Sequence, residues 1–182
     1  MLKETVIISN INFPLSDLIL LLLLILAVIY DQREQRIPNI LTLTGLILGI
    51  IWNIYTNGLL GIMFSLQGFV VGITLLFIPF ALRGMGAGDV KLLGMVGAFK
   101  GALFAFHTFI AMALWGGLIA VILLINKGQL GKTLGRLWGG LLMHLFKVRK
   151  MQESIQSSNS GISFPYALAI ALGAVSAYFI KW

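Results

Sequence analysis

The chain has 182 residues, of which 59% are hydrophobic and 10% charged, with a formal net charge of +7 and a mean hydropathy of +0.99. A soluble domain carries about a quarter charged residues, so a water-soluble globule is excluded, and apolar runs that recur to the C-terminus exclude a lone signal peptide. With no cysteine, disulfides, thiolate zinc sites and a cysteine nucleophile are excluded as well.

These features predict an all-α polytopic membrane protein forming a single domain over residues 1–182. A span needs roughly 20 apolar residues. The uncharged run Leu18–Tyr30 is too short, so the first helix must run from about Pro14 to Gln35. That extension carries Asp31 about one turn inside its end, with Arg33 and Arg36 snorkelling outward. Pro38–Tyr55 opens on a proline, a good helix start. Thr56-Asn57-Gly58 turns the chain, and the third span covers Leu59–Leu82 with Pro79 near its end. A glycine-rich break, Arg83-Gly84-Met85-Gly86-Ala87-Gly88-Asp89, precedes the short apolar segment Val90–Phe99. Ala102–Ile125 is the next full span, a basic loop covers about 126–160, and Ile162–Ile180 is the last span.

Charge decides whether the short segment after Asp89 crosses the membrane. With six spans, Arg33, Arg36, Arg83, Lys91 and the six basic residues from Lys127 to Lys150 share one side, ten against Lys3, Lys100 and Lys181. With five, the split falls to seven against six. The positive-inside rule selects six spans with both termini outside, and Asp31 and Asp89 then lie at one cytosolic level. Within the basic loop, Leu130, Leu134, Leu137, Trp138, Leu141, Leu142 and Leu145 recur at helical spacing with Lys132, Arg136 and Lys147 off that face. This predicts an interfacial amphipathic helix on anionic lipid. Met151–Gly161 reads as a linker. Basic residues set between spans are topology signals, so nucleic acid is not an expected partner.

Each of the six acidic residues can be weighed. Glu4 is in the N-terminal tail, Glu34 faces the cytosolic surface among arginines, and Glu153 is in the linker. Asp17, 14 residues or roughly 21 Å from Asp31 along one helix, belongs to the outer end. Only Asp31 and Asp89 can approach one another. Carboxylates at membrane depth are costly and mark function. Two close together share a proton, which suits peptide hydrolysis, one carboxylate activating water while the other protonates the carbonyl oxygen. The structural alternatives are an Asp31 pair with Arg33 or Arg36, and an Asp89 that caps a helix or pairs with Lys91. Asp89 near a helix N-terminus is expected to be the more ionised partner, and Asp31 near a helix C-terminus the more protonated. Gly84, Gly86 and Gly88 remove side chains where backbone or substrate comes close, and an aspartate at the helix start argues against phosphate there. Gly45/Gly49 and Gly68/Gly72 fit close helix packing. His107 and His144 have no partner at metal-ligand spacing, so no metal or other cofactor is expected.

Gly86-Ala87-Gly88-Asp89, continuing Val90-Lys91-Leu92-Leu93-Gly94, resembles the signature of type IV prepilin peptidases. Asp31 followed by Arg36-Ile37-Pro38-Asn39 resembles that family's first-aspartate segment, and Phe164-Pro165-Tyr166-Ala167-Leu168 its C-terminal proline motif. The resemblance implies an aspartyl endopeptidase of the prokaryotic cytoplasmic membrane, its catalytic pair Asp31 and Asp89. Gly86, Gly88, Lys91 and Pro165 would be its motif and substrate-positioning residues. The implied substrate is a pilin-like precursor, cut on the cytosolic side to release a short basic leader. Longer members carry a cysteine-rich zinc insertion and methylate the new N-terminus. This chain resembles the short peptidase-only form of tight-adherence pilus systems and archaea, without methyltransferase activity. The rivals are a presenilin or signal-peptide-peptidase-like protease, whose tyrosine before the first aspartate is matched by Tyr30-Asp31, and a non-enzymatic transporter or assembly factor, for which the internal repeats are lacking.

Overall fold

The computed structural model describes residues 5–8, 11–82, 84–126 and 165–179. They belong to two units, Met1–Gly116 with Pro165–Trp182 and Gly117–Phe164, and the contacts described below lie in the first. Six helices follow in order: α1 Leu15–Glu34, α2 Asn39–Asn57, α3 Leu60–Ala81, α4 Ala87–Lys100, α5 Ala102–Asn126 and α6 Tyr166–Ala177. The expected amphipathic helix over Leu130–Leu145 and the linker Met151–Gly161 lie outside the described residues.

Ahead of α1, strands β1 (Thr5–Ile8) and β2 (Ile11–Pro14) pair antiparallel with Ile8 opposite Ile11. This hairpin departs from the all-α expectation and moves the helix start past Pro14. The cause is local, because Thr5–Ile8 is four consecutive β-branched residues, which are stiff in a helix and fit a strand. From Leu15 the extension required for the first helix is present in full, reaching Glu34.

Helices α1, α2, α3 and the stretch Ala102–Leu123 of α5 are each long and apolar enough to cross a bilayer. Large apolar side chains point outward, among them Ile40, Tyr55, Leu59, Leu82 and Leu103. Such a surface would be a liability in water and is the natural one against lipid. This is a membrane protein. Helices α4 and α6, of 14 and 12 residues, measure roughly 21 and 18 Å, short of the ~30 Å hydrocarbon core. Even so, they run between the same two ends as α1. At one end the Lys100 ammonium, closing α4, binds Asp17 in the first turn of α1 at 2.8 Å and lies 5.0 Å from the Tyr178 ring just after α6. At the other end, Asp31 of α1 meets Ala167 in the first turn of α6.

The interior is built around α4, whose residues Leu92–Phe99 are buried without interruption. Small residues line the neighbouring helices where they face it, Gly45 and Gly49 on α2 and Gly68 and Gly72 on α3, while Gly61 of α3 packs on the α2 backbone at Asn53. A Cβ on Gly72 would lie 2.6 Å from the Leu93 carbonyl oxygen, and one on Gly49 3.2 Å from the Phe99 amide. The backbones are in direct contact, as small-residue stripes allow in lipid, where apolar burial alone does not drive helices together. Between α4 and α5 the chain reverses at Gly101, whose φ of 88° is a conformation that L side chains rarely adopt.

Candidate active site

Asp31 lies in the last turn of α1. Its carbonyl accepts the Gln35 N–H at 3.0 Å, and Gln35 ends the helix with a left-handed φ of 53°. That turn sends Arg36-Ile37-Pro38 back across the bundle, where Pro38 leads into α2. Asp89 is the third residue of α4, counted from Ala87. Its carboxylate accepts the Gly86 N–H at 3.0 Å, reaching back over the open first turn of its own helix.

The two segments interlock. A Cβ at Gly88 would stand 3.0 Å from the Ile37 Cβ, so the missing side chain makes room for the buried Ile37. Three residues along α4, the Lys91 ammonium donates to the Asn39 side-chain oxygen at 2.8 Å. The result is a cleft of about 490 Å³ lined by Asp31, Glu34, Gln35, Arg36, Ile37, Pro38, Asn39 and Gly86–Asp89. Its size falls in the range of small-ligand sites. Asp89 is buried and Asp31 half-buried, while Glu34, Gly86 and Ala87 are exposed at the opening.

Helix α6 closes the arrangement. Pro165 precedes its first residue, and the Ala167 N–H, unused within the helix at that position, donates to the Asp31 carboxylate at 3.2 Å. The adjacent Tyr166 hydroxyl donates to the Gly84 carbonyl at 2.6 Å, in the loop that leads to Asp89.

Of the residues singled out in the sequence, Asp31, Asp89, Gly86 and Gly88 all line this cleft. Lys91 and Pro165 are not in its lining; Lys91 ties α4 to Asn39 and Pro165 opens the helix that touches Asp31. Among the described residues neither aspartate is in an ion pair, so an Asp31 pair with Arg33 or Arg36 and an Asp89 pair with Lys91 are not realised there, whereas the alternative of Asp89 capping its helix is, through the Gly86 N–H; the ion pair that forms is Lys100–Asp17 at the opposite end. Glu34, expected on the cytosolic surface among arginines, is exposed and also borders the cleft. Its spacing of three from Asp31 already puts the two on one helix face. Asn39, Gln35, Tyr166 and the Ala167 amide were not singled out as site residues. Asp31 stands not only at the C-terminal end of its own helix but also at the N-terminal end of α6, whose Ala167 N–H it accepts.

A sequence model of the type IV leader peptidase family matches residues 18–125. This stretch carries both aspartates and the glycine loop. No curated protein and no solved structure gives a match to the chain.

Proposed function

The chain belongs to the type IV leader peptidase family, and on that premise we propose that it is an aspartic endopeptidase whose catalytic pair is Asp31 and Asp89. The observation that carries the proposal is that both carboxylates line one cleft, each held by a backbone N–H and, among the described residues, neither by a cation. In the proposed reaction, one carboxylate removes a proton from a water molecule as it attacks the scissile carbonyl. The other gives its proton to the carbonyl oxygen, and the pair titrates as a unit. As the tetrahedral diol collapses and its C–N bond breaks, the pair gives its proton to the leaving amine and takes up the one that the diol hydroxyl releases, so it ends singly protonated. Gly86 and Gly88 keep the approach to Asp89 free of side chains, and Lys91 and Pro165 hold the segments on either side.

The proposed substrate is a pilin-like precursor, cleaved between its leader and the apolar helix that follows. In this reading the chain crosses a prokaryotic cytoplasmic membrane six times with the site at the cytosolic face, and the basic sequence over about 126–160 meets anionic lipid. Lys100 and Tyr178 meeting Asp17 at the end away from Asp31 supports the alternation of spans. Co-expression with a pilin-like precursor tests the whole reading. A leader-sized mass loss is expected with the parent chain and none with Asp31→Ala or Asp89→Ala at equal protein level. Cleavage surviving either substitution overturns the dyad.

A further inference from the structure

We infer that the first turn of α6 is the spacer that sets the separation of Asp31 and Asp89, with the Tyr166 hydroxyl as a positioning group for the Asp89 arm. The two aspartates arrive on separate segments, Asp31 from the end of α1 and Asp89 from the glycine loop and α4, which also meet through the Lys91–Asn39 bond and the packing of Gly88 on Ile37. Consecutive residues of α6 touch one segment each. Ala167 N–H holds the Asp31 carboxylate at 3.2 Å and Tyr166 Oη holds the Gly84 carbonyl at 2.6 Å. Two residues beyond Gly84, the Gly86 N–H in turn holds the Asp89 carboxylate at 3.0 Å. Adjacent residues of one helical turn are a rigid ruler, so the two arms inherit its length. The glycine loop has little else to fix it, since glycines leave the backbone permissive; its other backbone tie is Gly84 N–H to the Pro79 carbonyl at 2.9 Å.

Anchoring of α6 itself does not depend on Tyr166. At the far end of the helix, Trp115 Nε1–H donates to the Ser176 hydroxyl at 2.8 Å. Gly173 sits so close to α5 that a Cβ would be 2.7 Å from the Met112 amide. Removing the Tyr166 hydroxyl therefore frees the loop without freeing the helix, which separates positioning from mere folding.

The inference rests on the aspartic-peptidase reading only for its kinetic arm. Tyr166→Phe is expected to lower kcat for precursor cleavage about tenfold, the effect of losing one ordinary hydrogen bond in the transition state, with KM within about twofold. Trp115→Phe, which removes a tie of the same kind from the same helix, is expected to leave kcat within about twofold. The second arm needs no activity. Because the chain has no cysteine, Glu34→Cys with Ala87→Cys places one thiol on each arm at exposed positions of the cleft. Bifunctional thiol reagents of graded length should then show one narrow optimum in the parent and in Trp115→Phe, and a broadened one in Tyr166→Phe. An unchanged kcat in Tyr166→Phe, an identical cross-linking profile in all backgrounds, or Trp115→Phe reproducing either effect overturns the inference. A parent that cuts no precursor while Tyr166→Phe still broadens the profile refutes the peptidase reading and leaves the spacer standing.

Discussion

Gly72→Ala probes the contact that carries the site, because it forces α3 and α4 apart by the smallest side chain there is. A Cβ at this position would stand 2.6 Å from the Leu93 carbonyl oxygen, 2.8 Å from Gly94 Cα and 2.9 Å from Gly94 N. All three are backbone atoms, so no rotamer can yield. The closest is about 0.9 Å short of the ~3.5 Å at which non-bonded atoms make ordinary contact, and α4 must shift by an amount of that order. Overpacking of this kind costs about 1–3 kcal/mol, or roughly 2–12 °C in Tm for a chain of this size. Leu93 is one turn from Asp89, so the same displacement reaches the cleft, and a misplacement near 1 Å can cost about 100-fold in rate. The assay pairs thermal unfolding of the purified protein in detergent with precursor cleavage by the surviving folded fraction. Gly117→Ala is the control, since no described atom lies within 4 Å of a Cβ there and alanine is the better helix residue by about 1 kcal/mol. If Gly72→Ala matches Gly117→Ala in both Tm and cleavage, backbone contact between α3 and α4 does not position the site.

Asp17→Ala strands the Lys100 ammonium against Phe104 and Tyr178 and should cost about 3 kcal/mol of stability, the low end for breaking a buried pair. Cleavage per folded molecule should stay within about twofold, because Asp17 is roughly 21 Å from Asp31 along α1. Asn53→Leu removes the amide that lies within hydrogen-bond reach of Ser65 Oγ and of the Ala98 and Phe99 carbonyls; denaturant titration should show a loss of about 1–3 kcal/mol from acceptors left unpaired. Lys91→Met breaks only the exposed bond to Asn39, so unfolding should move by less than about 1 kcal/mol. If Lys91 positions substrate, as the family resemblance implies, steady-state kinetics should show KM raised up to about fivefold, the reach of an exposed charge contact, with kcat unchanged.

What was legible in the sequence was what apolar length and scarce charge can encode. The short run Leu18–Tyr30 forced α1 to continue past Asp31, and the helix does run to Glu34. Gly45/Gly49 and Gly68/Gly72 pointed to close packing, and their missing side chains are where α4 lies. What escaped was whatever depends on contact between segments far apart in the chain. The Asp31–Ala167 and Tyr166–Gly84 bonds join residues 136 and 82 positions apart, and two of the four groups are backbone atoms, which carry no residue-type signal. Asn39 escaped for a related reason: a polar residue at a helix start reads as a cap, and only the turn at Gln35 brings it opposite Lys91. The N-terminal hairpin escaped because its strands Thr5–Ile8 and Ile11–Pro14 are four residues each, far below the length that marks a span, and lie in the tail ahead of the first helix.

The way the two carboxylates are held bears directly on the proposed chemistry. An arginine fork on either would bind it through paired charge-assisted hydrogen bonds and pin it in one charge state. Here the basic residues at this end are kept off the aspartates: Lys91 is turned to Asn39, and Arg36 borders the cleft without an ion pair among the described residues. The oriented contacts come from neutral amides instead, Gly86 N–H on Asp89 and Ala167 N–H on Asp31. A single amide donor fixes where a carboxylate oxygen points and leaves the second oxygen without a neutralising partner. Two carboxylates so held can exchange one proton between them and a water. That requirement accounts for a glycine at 86, where a Cβ would stand 3.3 Å from the Asp89 oxygen it serves, and for a helix start rather than a side chain facing Asp31. The peptide backbone orients both acids, and among the described residues no cation pairs with either.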